Sequence, residues 1–327
     1  MLAGSERRGM TDTPDLVVLR TGVHGMPVAD YAEQLRERLS DRRVVHARTP
    51  SEERELVTEA PVATGRTVDD DVLAAAEELE LFACSWAGTD HLPTARFEER
   101  GIAVTNAAGV HGPNVAEHVL GAMLTFSAGL LEGRRRQGRN EWRHYRTREL
   151  QGSTVTVVGL GAIGGAVLAR LEGFGVDTVG VRYTPGKGGP ADEVVGFHTP
   201  GFEEALARTD YLVLACPLTD TTRGLVGWPE LETLPHDAVL VNVARGPVVE
   251  TDALVRALRE DRVGGAALDV TDPEPLPADH PLWDLENVLV TPHNAGHTPY
   301  YYERLADIVA ENVRRLEAGE DLENRVV

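Results

Sequence analysis

The stretch TVTVVGLGAIGG, residues 154–165, constrains the fold more than any other part of the chain. Its first five residues are rich in Val and Thr, which is typical of a buried parallel strand. A G-x-G-x-x-G pattern follows, in which Gly159 permits a tight turn, Gly161 leaves room for a phosphate and Gly164 lets the next helix pack against the sheet. A helical pattern and a further strand come next, as this motif requires. We therefore predict a dinucleotide site here; the alternative is a glycine-rich turn without a ligand.

The charge of the chain is strongly negative. Its 327 residues, enough for two domains on length alone, include 52 Asp and Glu against 32 Lys and Arg, a formal net charge of −20. Such a surface repels nucleic acid and anionic membranes. The sequence has no run of about 18 apolar residues, so we expect no membrane span. The only lysine is Lys187. This composition resembles that of proteins from extreme halophiles; the alternative is an acidic, Arg-biased protein from a GC-rich genome.

The remaining composition indicates a cytoplasmic protein. The first 15 residues lack the apolar stretch of a secretory signal, so we expect a short leader before the first strand. Cys84 and Cys216 both lie in apolar, strand-like segments, which favours reduced core residues. The sequence contains no cluster with metal-ligand spacing, and we expect no metal.

Apolar runs alternate with helical patterns along both halves, which is typical of parallel α/β sheets. Predicted strands cover residues 16–20, 44–47, 61–65, 81–86, 102–106, 154–158, 178–181, 195–197, 211–216, 238–243, 265–270 and 287–292. Predicted helices cover 28–40, 51–60, 69–77, 92–100, 202–208, 228–233 and 252–260, with long amphipathic ones over 113–137 and 299–318, the last ending at Gly319. The basic segment RRRQGRNEWRHYRTREL is predicted to be a salt-bridged surface arm rather than a phosphate-binding patch.

Three residues whose side chains can bind a substrate or transfer a proton follow strands of the second half. Arg245 follows AVLVNVA, Glu274 follows GAALDV within DVTDPEPLP, and His293 follows NVLVT. Ligands of an open parallel sheet bind beyond the carboxyl ends of its strands, so these residues and the glycine loop are expected to share one crevice. Arg can bind a carboxylate by two hydrogen bonds, His can exchange a proton with a carbonyl oxygen, and Glu favours the imidazolium. Together beside a nicotinamide they indicate a 2-ketoacid reductase.

The chain resembles the D-isomer-specific 2-hydroxyacid dehydrogenase family. The matching segments are SWAGTDHL (85–92), NVAEHVLGAML (114–124), GLGAIG (159–164), CPLTDTTRGLVG (216–227), VNVARGPVVETDAL (241–254), ALDVTDPEPLP (267–277) and TPHNAG (291–296). The resemblance implies that Arg245 binds the substrate carboxylate and carbonyl, that Glu274 orients His293, and that His293 is the acid/base. The backbone of Ala87, Gly88 and Thr89 would bind the substrate carboxylate.

The resemblance also implies the cofactor contacts and the architecture. Asp269 would reach the nicotinamide carboxamide, and the other cofactor residues would be Gly159, Gly161, Ala162, Ile163, Gly164, Arg182, Tyr183, Thr184, Cys216, Pro217, Val243 and Ala244. The expected fold is α/β, with two Rossmann-like or flavodoxin-like parallel-sheet domains and a cleft between them. Residues 1–106 plus 297–327 would form the catalytic (substrate) domain and 107–296 the dinucleotide-binding domain. Dimerisation is expected through the cofactor domain, near residues 113–150.

One departure from the family pattern concerns cofactor choice. The strand after the glycine loop normally ends in an Asp that binds the ribose of NAD, whereas here Arg182, Tyr183 and Thr184 follow it. An Arg at this place accommodates the 2′-phosphate of NADP. Lys187 lies a few residues on and either adds to that site or is an ordinary loop residue. We therefore expect NADP to be preferred, with NAD also used.

The leading hypothesis is an NADPH-preferring reductase that converts 2-ketocarboxylic acids to D-2-hydroxyacids reversibly. Alternatives are a glyoxylate/hydroxypyruvate reductase of the same family and a non-catalytic dinucleotide-sensing co-regulator. Formate dehydrogenase is disfavoured because that branch of the family resembles a pattern with Gln before the His, whereas this sequence has Glu274 there. A phosphoglycerate dehydrogenase with a regulatory tail is disfavoured because the sequence ends at residue 327.

Overall fold

The computed structural model describes residues 13–89 and 91–327, so most of the expected leader lies outside the described residues. The chain forms two compact units. Unit 1 contains the described residues up to Val110 together with Thr298–Val327, and unit 2 is His111–His297. These boundaries lie four residues and one residue beyond those expected from the sequence. Among the described residues, no helix combines the length and apolar character that crossing a membrane demands.

Unit 1 is built around a five-stranded parallel sheet. Its strands are β1 (Leu16–Val18), β2 (Val44–His46), β3 (Val62–Gly65), β4 (Leu81–Cys84) and β5 (Ala103–Thr105), and its helices are α1 (Val28–Arg38), α2 (Pro50–Leu56), α3 (Asp70–Ala75), α4 (Thr94–Glu99) and α11 (Tyr301–Ala318). The strand order is β2-β1-β3-β4-β5, as in flavodoxin-like folds. Successive β1 residues point to opposite faces, so Leu16 and Val18 enter one apolar core and Val17 the other.

Unit 2 contains a seven-stranded parallel sheet. Its strands are β6 (Thr154–Val158), β7 (Asp177–Val181), β8 (Glu193–Val195), β9 (Tyr211–Leu214), β10 (Val239–Asn242), β11 (Gly265–Leu268) and β12 (Val288–Val290), and its helices are α5 (Gly112–Ser127), α6 (Leu130–Gly138), α7 (Ala162–Leu171), α8 (Pro200–Leu206), α9 (Trp228–Thr233) and α10 (Thr251–Arg259). The order β12-β11-β10-β9-β6-β7-β8 reverses its winding between the neighbours β6 and β9. Such a switch point opens a ligand crevice beyond the carboxyl ends of the strands.

The structure corrects two predicted elements. The helix expected over 113–137 is divided into α5 and α6 at Gly129, whose φ of 62° is left-handed. A Cβ at Gly129 would lie 2.8 Å from the ring of Tyr145, so a larger residue would not fit there. The strand expected at 195–197 ends at Val195 and begins at Glu193 instead. In contrast, α11 ends at Gly319 with a left-handed φ of 68°, as its sequence predicts.

The basic arm after α5 is held by ion pairs. Arg135 and Arg136 both bind Glu132, and Arg148 binds Asp237 at 2.6 Å. These arginines thus bind carboxylates of the chain itself, as in a salt-bridged surface arm.

Candidate active site

The three glycines of the loop after β6 differ in what surrounds them. Gly159 has a left-handed φ of 97°, and a Cβ there would lie 2.7 Å from the Cα of Cys216. A Cβ on Gly164 would overlap the carbonyl oxygen of Gly159. A Cβ on Gly161, in contrast, would meet no atom within 4 Å. The fold itself therefore requires glycine at the first and third positions, while the second faces open space at the amino end of α7, where backbone N–H groups favour an anion.

A cavity of about 510 Å³ opens at this loop. Predicted cofactor residues that line it are Gly159, Gly161, Arg182, Tyr183, Thr184, Cys216 and Pro217, together with Lys187. Ala162, Ile163 and Gly164 belong to the first turn of α7, Val243 and Ala244 follow β10, and Asp269 follows β11, and none of these six is in its lining. The sequence interpretation missed Leu160, Phe197, Ala215, Thr219, Thr221 and Thr222. The polar run TDTT at 219–222, shortly after the end of β9, was the available signal for the threonines.

The end of β7 presents positive charge to this cavity. Arg182 donates from Nη1 to the carbonyl oxygen of Gly188 at 2.6 Å, which fixes its guanidinium against the following turn. Lys187 lies in that turn, and Tyr183 beside it is 80% exposed. Neither Arg182 nor Lys187 makes an ion pair with any residue that the structure describes. The two cations are thus available to an anionic ligand in a chain of −20 formal charge.

Cys216 forms part of the same wall as a neutral thiol. It is buried and free, and burial raises the pKa of its thiol to about 11. At neutral pH the thiol is protonated and a poor nucleophile, so Cys216 shapes the cavity rather than reacting in it.

His293 and Glu274 form a hydrogen-bonded pair at the end of the sheet. His293 Nδ1 lies 2.6 Å from Glu274 Oε1, and both side chains are about half exposed, at 49% and 42%. Because an ionised carboxylate only accepts hydrogen bonds, Nδ1 carries the proton and Nε2 faces away from Glu274. His293 has a left-handed φ of 51°, and its N–H donates to the Asp269 carbonyl at 2.8 Å. The ring is thus presented by a constrained backbone with Nε2 available for proton exchange.

Asp269 organises the loop that carries His293. Its side chain is 3% exposed, and its carboxylate accepts hydrogen bonds from Thr291 Oγ1 at 2.5 Å, Asn294 N at 2.8 Å and Ala295 N at 2.9 Å. Both carboxylate oxygens are therefore engaged by residues on either side of His293. This arrangement supports a positioning role for Asp269, in addition to the nicotinamide contact implied by family resemblance.

Helix α5 supplies two further contacts to this loop that the sequence interpretation missed. Asn114 Nδ2 donates to the Ala295 carbonyl at 2.6 Å, and His118 Nε2 lies 3.3 Å from Thr291 Oγ1. These side chains hold the loop to the helix, which fixes the place of His293 in unit 2. The polar residues of the segment NVAEHV, on a helix with an apolar face, were the only sequence signal for them.

Arg245 follows β10, the strand next to β11. Its Nη1 donates to the Ala244 carbonyl at 2.6 Å, and its carbonyl accepts from Asn242 Nδ2 at 3.2 Å. A Cβ on Gly246 would overlap the Thr271 carbonyl, so the chain after β10 packs directly on the chain that leads to Glu274. The side chain of Arg245 is exposed and makes no ion pair with a described residue. Arg245, Glu274 and His293 thus follow the neighbouring strands β10, β11 and β12.

The segment predicted to bind the substrate carboxylate lies in unit 1, after β4. The carbonyl of Ala87 accepts from Asn106 Nδ2 at 2.7 Å, and that of Thr89 accepts from Leu92 N at 2.9 Å. No described acceptor takes a hydrogen bond from the N–H of Ala87, Gly88 or Thr89. With the carbonyls of Ala87 and Thr89 tied back and the three amides without a described acceptor, this turn can bind an anion.

Comparisons with known proteins bear on both units. Residues 120–295 match the family model described as D-isomer specific 2-hydroxyacid dehydrogenase, NAD binding domain. A D-3-phosphoglycerate dehydrogenase of Methanocaldococcus jannaschii is 33% identical over 306 residues, which are 92% of this chain and 58% of that protein. The chain thus spans little more than half the length of this relative. A glyoxylate reductase of Thermofilum pendens is 35% identical over 260 residues, covering 77% of this chain and 76% of that protein.

A solved structure resembles the chain over almost its whole length. It is a D-isomer specific 2-hydroxyacid dehydrogenase from Xanthobacter autotrophicus in complex with NADPH and MES. The two chains are 31% identical, the match covers 96% of this chain and 98% of that one, and the TM-score is 0.77.

Proposed function

Since the chain belongs to the D-isomer-specific 2-hydroxyacid dehydrogenase family, we propose that it reduces 2-ketocarboxylic acids to D-2-hydroxyacids with NAD(P)H, reversibly. The observation that carries this proposal is the hydrogen bond of 2.6 Å between His293 and Glu274. This pair lies beyond the carboxyl ends of the strands of the sheet, as the glycine loop does. A proton donor at that edge is what the reduction of a ketone beside a dinucleotide site requires.

The residues of unit 2 divide the chemistry among them. The reduced nicotinamide, when bound, supplies the hydride for the carbonyl carbon. His293 gives the proton from Nε2 to the carbonyl oxygen, and Glu274 stabilises the imidazolium that precedes this transfer. Arg245 binds the substrate carboxylate and polarises the carbonyl through its fork of N–H donors. In the reverse direction His293 Nε2 accepts the proton of the alcohol.

Unit 1 contributes the carboxylate-binding turn of Ala87, Gly88 and Thr89. Support comes from the unused amide N–H groups of these residues and from the absence of a side chain at Gly88, where a Cβ would meet nothing within 4 Å. In this proposal residues 1–106 plus 297–327 are the substrate domain and 107–296 the cofactor domain.

The preferred cofactor is NADPH, with NADH as a second choice. Arg182 reads the 2′-phosphate, Lys187 adds positive charge, and Tyr183 and Thr184 line the same part of the cavity. The Xanthobacter protein is known in complex with NADPH, which agrees with this preference. The test is kcat/KM for both cofactors in wild type and in Arg182→Gln. We expect NADPH to lead in wild type and to lose about ten- to a hundred-fold in the variant; a wild-type preference for NADH refutes the assignment.

The assembly we propose is a homodimer formed through unit 2. The basic arm leaves Trp142 fully exposed, at 103% of its reference area, within the stretch 139–150 that forms no regular element. An exposed indole of this size on an arm is typical of a surface that a second copy covers. Sedimentation equilibrium of wild type and Trp142→Ser tests this: we expect a dimer that the substitution weakens, whereas a monomeric wild type contradicts it.

The location of the protein and two alternative functions remain to be considered. The two buried, free cysteines agree with a reducing, cytoplasmic location. A glyoxylate or hydroxypyruvate reductase is the second candidate, since a glyoxylate reductase is among the relatives. A co-regulator without turnover is disfavoured because Arg245, Glu274 and His293 are all present.

The experiment that tests the reaction is a panel of 2-ketoacids assayed with NADH and with NADPH. We expect consumption of the reduced cofactor with at least one 2-ketoacid and formation of the D-hydroxyacid. Cofactor binding without turnover of any 2-ketoacid would instead favour the dinucleotide-sensing alternative.

A further inference from the structure

An exposed arginine that pairs with none of the described carboxylates lies close to the turn of unit 1 that is proposed to bind the substrate carboxylate. Arg66 directly follows β3, and β3 pairs with β4, whose last residue Cys84 lies opposite Gly65. The guanidinium carbon of Arg66 lies 4.4 Å from the ring centroid of Trp86. Since Trp86 immediately precedes the turn of Ala87, Gly88 and Thr89, the cation lies close to the segment proposed to bind the substrate carboxylate.

The backbone of Arg66 is fixed in this place. Its carbonyl accepts a hydrogen bond from His91 Nε2 at 2.6 Å and a weaker one from Cys84 Sγ at 3.7 Å. Cys84 and His91 thus both hold the main chain of Arg66, and the indole beneath its guanidinium limits the directions in which the side chain can point. A guanidinium held over an aromatic face keeps its N–H edge free for a carboxylate or phosphate.

The three described acidic residues that follow closely in sequence pair with other arginines. Asp69 pairs with Arg20 at 3.3 Å, Asp71 pairs with Arg54 at 2.6 Å, and Asp70 pairs with Arg96. Arg66 itself is exposed and makes no ion pair with any residue of the described ranges 13–89 and 91–327. In a chain with 52 acidic and 32 basic residues, an arginine left without a carboxylate at a site of this kind is available for a ligand.

The indole supplies a second unused donor. Trp86 Nε1 is buried, and it has no hydrogen-bond partner among the residues that the structure describes. Buried N–H groups without an acceptor are uncommon in folded proteins. A ligand oxygen that reached Nε1 while the ligand is bound to Arg66 would supply this acceptor.

We propose that Arg66 and Trp86 form a recognition site for a second anionic group on the substrate. The substrate class is then a 2-ketoacid whose far end carries a carboxylate or a phosphate, with the first carboxylate on the turn of Ala87, Gly88 and Thr89. This inference rests on the proposed 2-ketoacid reduction and refines its substrate class. A ketoacid with a neutral apolar end leaves the Arg66 charge without its counter-ion and is a poorer substrate.

Two matched substrate pairs test the inference. 2-Oxoglutarate and 2-oxopentanoate share a five-carbon chain and differ in a terminal carboxylate, whereas phosphohydroxypyruvate and hydroxypyruvate differ in a phosphate. In wild type we expect kcat/KM to be about ten- to a hundred-fold higher for at least one anionic member than for its partner without the second anion. This ratio corresponds to the free energy of one charged hydrogen bond. The pair with the larger ratio identifies the anion.

Variants assign that ratio to the site. Arg66→Leu should reduce it to near one, and Trp86→Phe, which keeps the ring but removes the N–H, should reduce it in part. Arg54→Leu removes a half-exposed, ion-paired arginine of the same unit and should leave the ratio as in wild type. Calorimetric titration with 2-oxoglutarate and phosphate, without cofactor, gives a readout besides activity, and Arg66→Leu should weaken the binding.

The outcomes separate this inference from the proposed function. If wild type reduces the neutral members as well as the anionic ones, or if Arg66→Leu and Arg54→Leu change the ratio alike, the second-anion site is refuted while ketoacid reduction stands. If wild type turns over none of the four acids or any other 2-ketoacid, the proposed function itself fails.

Discussion

Replacing Gly161 with alanine should separate cofactor binding from folding. A Cβ there meets no atom within 4 Å, and the backbone, with φ −85° and ψ −162°, is open to any L-residue. The unfolded chain loses freedom, so we expect the free energy of unfolding to stay equal or to rise by about 0.4–1 kcal/mol. The new methyl group, however, occupies the space beside the α7 N-terminus that the pyrophosphate needs. Loss of one charged hydrogen bond, about 1.5–3 kcal/mol, corresponds to a roughly ten- to a hundred-fold higher Kd for NADPH.

The other glycines of the region provide the controls. In Gly164→Ala the methyl group would overlap the Gly159 carbonyl, so we expect a destabilisation of about 1–3 kcal/mol, or roughly 2–4 °C in Tm per kcal/mol. Gly173→Ala adds a methyl group in open space outside the loop, so it should leave the Kd for NADPH unchanged while its free energy of unfolding stays equal or rises by about 0.4–1 kcal/mol. Fluorescence titration with NADPH and thermal unfolding measure the two quantities. An alanine at 161 that binds NADPH as wild type does, or that melts like the Gly164 variant, refutes the reasoning.

Three further predictions concern the proton donor, its loop and the charge of the chain. Glu274→Gln should lower kcat at neutral pH about ten- to a hundred-fold in steady-state assays, because the imidazolium loses its charged partner; an unchanged kcat removes Glu274 from the mechanism. Thr291→Val deletes one hydrogen bond to Asp269 and should lower kcat while the NADPH Kd, measured by fluorescence, stays within about two-fold; a rise in Kd without a change in kcat contradicts a positioning role. Because the formal charge is −20, activity and Tm should both rise from tenths of molar to molar salt, where the screening length falls to about 3 Å; equal Tm values at both ends argue against halophilic adaptation.

The family and the α/β fold predicted from the sequence are confirmed, and the reason lies in local patterns. The glycine loop lies directly between the strand and the helix that position it, within residues 154–165. The functional residues that follow β10, β11 and β12 are likewise close in sequence to the strands that position them. The pairing of His293 with Glu274 follows from the adjacency of their strands, and the structure has it at 2.6 Å.

Features that depend on distant residues were not predictable in this way. The apolar periodicity of 113–137 continues past Gly129 and outweighed the glycine as a stop signal, and the contact with Tyr145 that accompanies the break is visible only in the structure. The hydrogen bonds of Asp269 to Thr291, Asn294 and Ala295 join two loops. The Arg66–Trp86 contact likewise arises only when β3 and β4 pair.

Conversion of a 2-ketoacid to its D-hydroxyacid by wild type and by His293→Ala tests the central claim most directly. The assay follows loss of reduced-nicotinamide absorbance with NADPH and identifies the enantiomer formed by chiral chromatography. We expect one D-2-hydroxyacid per NADPH oxidised in wild type, and a turnover about 10²–10⁴-fold lower in the variant at an NADPH Kd near that of wild type. An L-product, or a variant that keeps the wild-type kcat, would contradict His293 as the acid that completes D-specific ketoacid reduction.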